Sequence, residues 1–182
     1  MKENYQFFDS KTENEGIKRM SERIHRYVND LGVAAYILMH GYPVIGKRGR
    51  SIYFECLNEK MASEFDSVVL EYQPPNEFYT FDSCLMFLKK INESIPEEID
   101  DSINKVVSDL GVAAYLLMQN YRGNDIGVKV IGKKGRYVYF EHNPDKGDAF
   151  ESLSYEYLPS QFHAYDSNLM ALKQIGDYMP SK

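Results

Sequence analysis

The sequence predicts an α+β fold made of two tandem α-β-β-α-(β)-α repeats, and three observations carry that prediction. The first is an internal duplication. Asp30-Leu31-Gly32-Val33-Ala34-Ala35-Tyr36 returns as Asp109-Leu110-Gly111-Val112-Ala113-Ala114-Tyr115, and Val44-Ile45-Gly46-Lys47 returns as Val130-Ile131-Gly132-Lys133. The second is strand-type alternation in the Tyr-Phe-Glu stretches, Tyr53 to Glu55 and Tyr139 to Glu141. The third is apolar spacing of three and four around them, which is helical. Tandem copies of one unit are expected to meet about a pseudo-two-fold axis. Their antiparallel hairpins are expected to form a shared sheet packed by helices, because a two-stranded hairpin alone is marginal. The boundaries predicted are a flexible arm over 1–15, a first repeat over 16–95 and a second over 96–182.

Residues 1–15 are polar and lack helical periodicity, and Phe7 and Phe8 could pin them to the body. From Ile17 the apolar positions Ile17, Met20, Ile24, Tyr27, Val28, Leu31, Ala34, Ala35 and Leu38 read as helix. Asp30 divides that stretch as an N-cap, and Asp109 stands at the same place after Ile99, Ile103, Val106 and Val107. Gly32 and Gly111 weaken a helix, so close approach of another segment is expected there, such as a helix crossing between the repeats, with the Gly-Val-Ala-Ala helices or the hairpins on the two-fold axis. Gly41 and Asn120 suit the helix ends.

A hairpin follows in each copy, turning at Gly46 to Gly49 and at Gly132 to Gly135. On its return strand Ile52, Phe54 and Cys56 face one way, and Ser51, Tyr53 and Glu55 the other. In the second copy Val138, Phe140 and His142 oppose Tyr137, Tyr139 and Glu141. Residues from Tyr121 to Gly127 lengthen the loop before the second hairpin. Met61, Phe65, Val68, Val69 and Tyr72 form the stripe of the next helix, matched by Phe150, Leu153, Tyr157 and Leu158. Pro74-Pro75 and Pro159 stop these helices. Residues 77–81 and 162–165 read as short extended pieces. Asp82-Ser83 and Asp166-Ser167 read as N-caps of a last helix with Leu85, Leu88 and Ile91, or Leu169, Leu172 and Ile175, on its stripe. Ser94 to Ser102 is the linker.

The chain of 182 residues carries net charge −6 and 15 tyrosines. An acidic total argues against broad nucleic-acid or anionic-membrane binding while leaving room for a local basic patch. The tyrosines suit either a small core or a binding surface. Cys56 and Cys84 both fall in the first repeat, where a repeated disulfide framework would not put them, so they read as free thiols. No apolar run has membrane-spanning length and no signal-peptide pattern opens the chain, so a cytoplasmic protein is expected, a monomer with an internal pseudo-dimer or a homodimer.

The pattern Asp-Leu-x-x-Ala-Ala-Tyr-x-Leu, a turn, a hairpin and a Tyr/Phe-rich strand resembles a small domain family of phage, prophage and bacterial genomes. The likeness covers roughly 28–95 and 107–180 and rests on Asp30 to Leu38 and Asp109 to Leu117. Such domains usually occur one per chain, and the fusion of two copies is the departure. The resemblance implies a mobile-element setting, where small proteins bind and block host machinery, as in an anti-defence or anti-CRISPR-like role, or bind nucleic acid; the family is one of unknown function and brings no catalytic residues.

Phosphate-loop, dinucleotide, nucleophile-elbow and Cys-x-x-Cys patterns are missing from the sequence. His25, His40, His142 and His163 do not repeat between copies and have no metal-ligand spacing. The repeated carboxylates Glu55 with Glu141, and Glu71 with Glu156, suit solvated faces better than acid–base chemistry. No enzyme, metal or cofactor is therefore expected. The remaining polar signal is at the hairpin tips: Lys47, Arg48 and Arg50, then Lys133, Lys134 and Arg136, with Lys129 nearby. They read as phosphate contacts to nucleic acid or a nucleotide, or as residues that protect a turn and a sheet edge. Tyr53, Tyr137 and Tyr139 are stacking platforms or a partner surface if their face is open, and core if helices cover it. Two functions follow: a non-catalytic binder of a host protein, or a nucleic-acid or nucleotide binder working through the tips.

Overall fold

The computed structural model describes residues 24–124 and 126–178. The predicted arm over 1–15, with Phe7 and Phe8, and the start of the first predicted helix at Ile17 and Met20 lie outside the described residues. In order the elements are β1 (Ile24–Val28), α1 (Leu31–Met39), β2 (Val44–Arg48), β3 (Ser51–Cys56), α2 (Glu59–Glu71) and α3 (Glu77–Lys90). Then come β4 (Asn104–Val107), α4 (Leu110–Tyr121), β5 (Lys129–Lys134), β6 (Tyr137–Glu141), α5 (Gly147–Glu156) and α6 (Gln161–Gln174). The fold is mixed α and β, with six α-helices among the described residues and two three-stranded antiparallel sheets ordered β1-β3-β2 and β4-β6-β5.

The single shared sheet is not what forms. Each hairpin takes its third strand from the residues just before its own first helix, pairing Ile24 with Cys56 through Val28 with Ile52, and Asn104 with Glu141 through Val107 with Val138. Apolar spacing predicts helix for those residues. Ile24, Tyr27 and Val28 satisfy a helical spacing over five residues, but β-branched and aromatic side chains beside an unpaired strand edge pair instead. A partner within the same repeat also closes a shorter loop than one in the other repeat.

The helix starts at Asp30 and Asp109 are as expected. Asp30 Oδ1 accepts from Val33 N at 2.9 Å, and Asp109 Oδ1 accepts from Gly111 N at 2.7 Å and Val112 N at 3.0 Å. Gly41 sits past α1 with φ 83°. Asn120 lies inside α4, which runs to Tyr121, and Gly123 at φ 79° takes the left-handed place. The extended pieces at 77–81 and 162–165 are instead the first turns of α3 and α6. Asn76 caps α3, its Oδ1 accepting from Phe78 N and Tyr79 N at 2.9 and 3.3 Å, so Asp82 and Ser83 lie within that helix. Asp166 and Ser167 lie within α6.

The chain divides into two compact units. The first holds residues 24–72 and 167–178, and the second holds 73–166. In the first unit α2 covers one sheet face, with Phe65 of α2 5.5 Å from Phe54 of β3, ring centre to ring centre. Both rings are fully buried, each contributing about 1.5–3 kcal/mol by leaving water. In the second unit Phe150 of α5 meets Phe140 of β6 at 6.1 Å. There α3 packs along α4, so α4 does meet a helix from the other repeat. The close neighbour of Gly111 is nevertheless Tyr157 of its own repeat: a Cβ on Gly111 would collide with the Tyr157 hydroxyl.

Candidate nucleic-acid interface

Pairing register decides which side chains share a face, because residues opposite one another in an antiparallel sheet point the same way. In the second unit the inner face carries Val138 and Phe140, both buried. The outer face forms three rows. Asn104, Glu141 and Lys129 make the first, Val106, Tyr139 and Gly132 the second, and Tyr137 and Lys134 the third. Val106 is 50% exposed and Tyr137 44%. Arg136, at the turn, lays its guanidinium 5.5 Å from the centre of the Tyr137 ring. Lys129 stands 4.0 Å from Glu141. The outer face is thus open over β4 and β6, with tyrosines beside cations, while Ser94 and Pro96 lie over Gly132 of β5.

In the first unit Tyr27 opposes Tyr53, with ring centres 5.5 Å apart, and His25 opposes Glu55. Arg48 opposes Ser51 at the end of the hairpin. Tyr53 and Tyr139 are partly exposed and Tyr137 is exposed, so the three predicted stacking positions lie on faces that helices leave uncovered.

The six predicted cations separate into two groups. Arg48, Arg50, Lys134 and Arg136 are exposed at the tips. Lys47 and Lys133 are not part of a tip cluster, which corrects the reading from spacing alone. Lys47 opposes Ile52 and Lys133 opposes Val138, so strand alternation turns both toward the inner face. Lys47 Nζ donates to the carbonyls of Leu172 at 3.3 Å and Ile175 at 2.9 Å, at the C-terminal end of α6, where a cation is favoured. Lys133 is buried, and its backbone forms a two-way bridge with Ser94 at 2.8 and 2.9 Å. The predicted linker therefore begins as an added rung on β5.

The turns themselves are held from outside the hairpin. Gly49 and Gly135 both have φ 58°, as a two-residue hairpin turn requires. Gly49 N donates to Asp177 at 3.1 Å and Gly135 N donates to Glu93 at 3.1 Å. Those backbone donors are committed to carboxylates, so the side chains are what a tip offers to a phosphate. The two tips belong to different units.

A second feature had no clear signal in the sequence. Along α3 and the end of α4 in the second unit run two adjoining hollows of about 460 and 260 Å³ that share Thr80 and Tyr121. Phe87 and Tyr121 line the smaller one while remaining 53% and 73% exposed. Arg122 closes one end, its Nε donating to Glu77 at 2.8 Å.

Chemistry is sparse elsewhere. Among the described residues no group of three His, Cys, Asp or Glu is placed to hold a metal ion. His40 Nδ1 lies 2.9 Å from the Tyr36 carbonyl, and His142 is buried with its ring 5.7 Å from Phe150. Cys56 and Cys84 are buried free thiols. No helix among the described residues is long and apolar enough to cross a membrane. Comparison with family models, curated proteins and solved structures returned no match.

Proposed function

We propose that this chain is a non-catalytic binding protein that holds single-stranded nucleic acid on the outer faces of its two sheets. The observation that carries the reading is the outer face of β4-β6-β5, open beside Ser94 and Pro96, which lie over Gly132. It sets Tyr137 and Tyr139 beside Lys134, Arg136 and Lys129 with one carboxylate, Glu141, among them. Bases stack on the rings and phosphates meet the cations, a pairing that tolerates an acidic total charge because it is local. The first unit offers Tyr27 and Tyr53 with Arg48 and Arg50. The proposal includes an origin by tandem duplication with pseudo-two-fold symmetry, supported by the same strand order in each sheet. A phage or mobile-element setting in a host cytoplasm belongs to it as context.

The test is a mobility-shift titration with single-stranded oligonucleotides at low and moderate salt. The wild type should bind with affinity falling as salt rises. Arg50→Glu with Arg136→Glu should abolish the shift, and Tyr137→Ala should weaken it about tenfold, since stacking contributes roughly 1–3 kcal/mol per base. Absence of any salt-dependent shift in the wild type would end this reading.

A host-protein partner is the second reading, favoured by the exposed rings of Phe87 and Tyr121 along the α3–α4 hollows. A bacterial protein captured by the wild type and lost with Phe87→Asp would support it. Capture of the same proteins by both would count against it.

A further inference from the structure

We infer that Glu141 selects which bases the second sheet face holds, favouring those with amino donors and guanine most of all; the inference rests on the nucleic-acid reading above. Tyr139 and Glu141 are two residues apart on β6 and so project from the same face, about 7 Å along the strand. A base lying on the Tyr139 ring therefore extends its edge into the row occupied by Asn104, Glu141 and Lys129. On the β5 side of Tyr139 stands Gly132, covered by Ser94 and Pro96, so a base on the ring is bounded there and its edge runs along the strand toward Glu141.

The chemistry of that row is set by its carboxylate. Asn104 Oδ1 already accepts from Asp100 N at 2.9 Å, so its oxygen is taken within the turn. Glu141 is half exposed, and its Oε2 stands 4.0 Å from Lys129 Nζ. An ionised carboxylate accepts hydrogen bonds and cannot donate. In single strands the pairing edge of the base is free to be read. Guanine presents two adjacent N–H donors there, which a carboxylate accepts with both oxygens. Adenine and cytosine present one amino group each. Thymine and uracil present a single N–H flanked by two carbonyls, which face the carboxylate unfavourably. Lys129 is placed to hold the adjoining phosphate or the far carboxylate oxygen. Tyr53 and Glu55 repeat the spacing on β3 of the first unit.

The experiment is fluorescence anisotropy with the full chain. The probes are an all-thymidine oligomer and the same oligomer with isolated guanines, each also made as RNA with uridine as the background. The guanine-bearing oligomers should bind about tenfold tighter, the scale of one well-made base contact. In Glu141→Gln the amide turns to donate or accept, so that preference should shrink to about twofold while the salt dependence stays. Glu141→Asp, which keeps the charge but withdraws it, should give an intermediate preference and serves if the Gln variant does not fold. Equal binding of both oligomers, or a preference left unchanged by both variants, overturns the inference and leaves the nucleic-acid reading standing. No salt-dependent binding to either oligomer removes the reading itself. A guanine preference present only in RNA or only in DNA supports the inference for that strand chemistry and overturns it for the other.

Discussion

Gly111 shows how narrowly a single residue fixes this core. Tyr157 is fully buried, and its hydroxyl donates to Asp166 Oδ2 at 3.2 Å while filling the space a side chain at 111 would need. A Cβ there would meet the Tyr157 ring carbon at 2.6 Å as well as the hydroxyl. Gly111→Ala should therefore destabilise the protein by about 1–3 kcal/mol despite its better helix propensity, as overpacking does. Chemical denaturation would measure it, and Tyr157→Phe in the same chain should restore part of the loss. The two thiols make a second prediction. Burial pushes Cys56 and Cys84 from 9.0 up to about 11. The folded state thus keeps a proton that the unfolded state gives up above pH 9. Their contribution is fully present below that value and is lost as pH rises toward 11, by up to roughly 2–3 kcal/mol per thiol. Burial raises Tyr42, Tyr115 and Tyr157 as well, so they act in the same direction. Thermal unfolding between pH 8 and 11 should show a shallower decline in Cys84→Ala than in the wild type.

Elements explain which cations are structural. Strand alternation turns Lys47 inward and Arg48 outward, and Lys47 then binds the last carbonyls of α6. Lys47→Met should lower stability by about 1–2 kcal/mol, because hydrogen bonds from a charged donor are lost. The same variant should leave oligonucleotide affinity and its salt slope unchanged, unlike Arg50→Glu. A marked loss of affinity would return Lys47 to the binding site. Much at this scale was legible beforehand. The hairpins follow from their glycines and alternation, and α1 and α4 from their aspartate caps. The tyrosine positions were found, but not the openness of their face, which depends on where helices pack. The strands β1 and β4 differ from the helix their spacing predicts because five residues cannot separate a period of 2 from one of 3.6. The starts of α3 and α6 differ from the extended pieces predicted there for the opposite reason. Phe78, Phe81, Leu85 and Leu88 keep helical steps, but their aromatic and β-branched neighbours resemble a strand.

At the scale of the whole molecule, neither sequence repeat contains a complete unit. The helix α3 comes from the first repeat, yet it belongs with β4, α4, β5, β6 and α5 in the second unit. Residues 167–178 come from the second repeat and belong with β1 to α2 in the first. The recurring motifs are visible in the sequence but this exchange is not, because a third helix with an apolar stripe fits either half equally well. Only the packing partners distinguish them: Phe78 meets Phe162 at 5.1 Å and Tyr165 at 5.4 Å, while Lys47 meets Ile175. The exchange has a mechanical consequence. Cutting the chain between Glu97 and Asp101, in exposed backbone between α3 and β4, severs the repeats but divides each unit into two interlocked pieces. A protease site inserted there should therefore yield two fragments that elute together in gel filtration and separate only in denaturant. Each unit buries apolar surface contributed by both fragments, and no single helix can leave without exposing it. Fragments that part spontaneously under native conditions, each retaining its helix content, would show that every repeat keeps its own third helix and that the exchange is wrong.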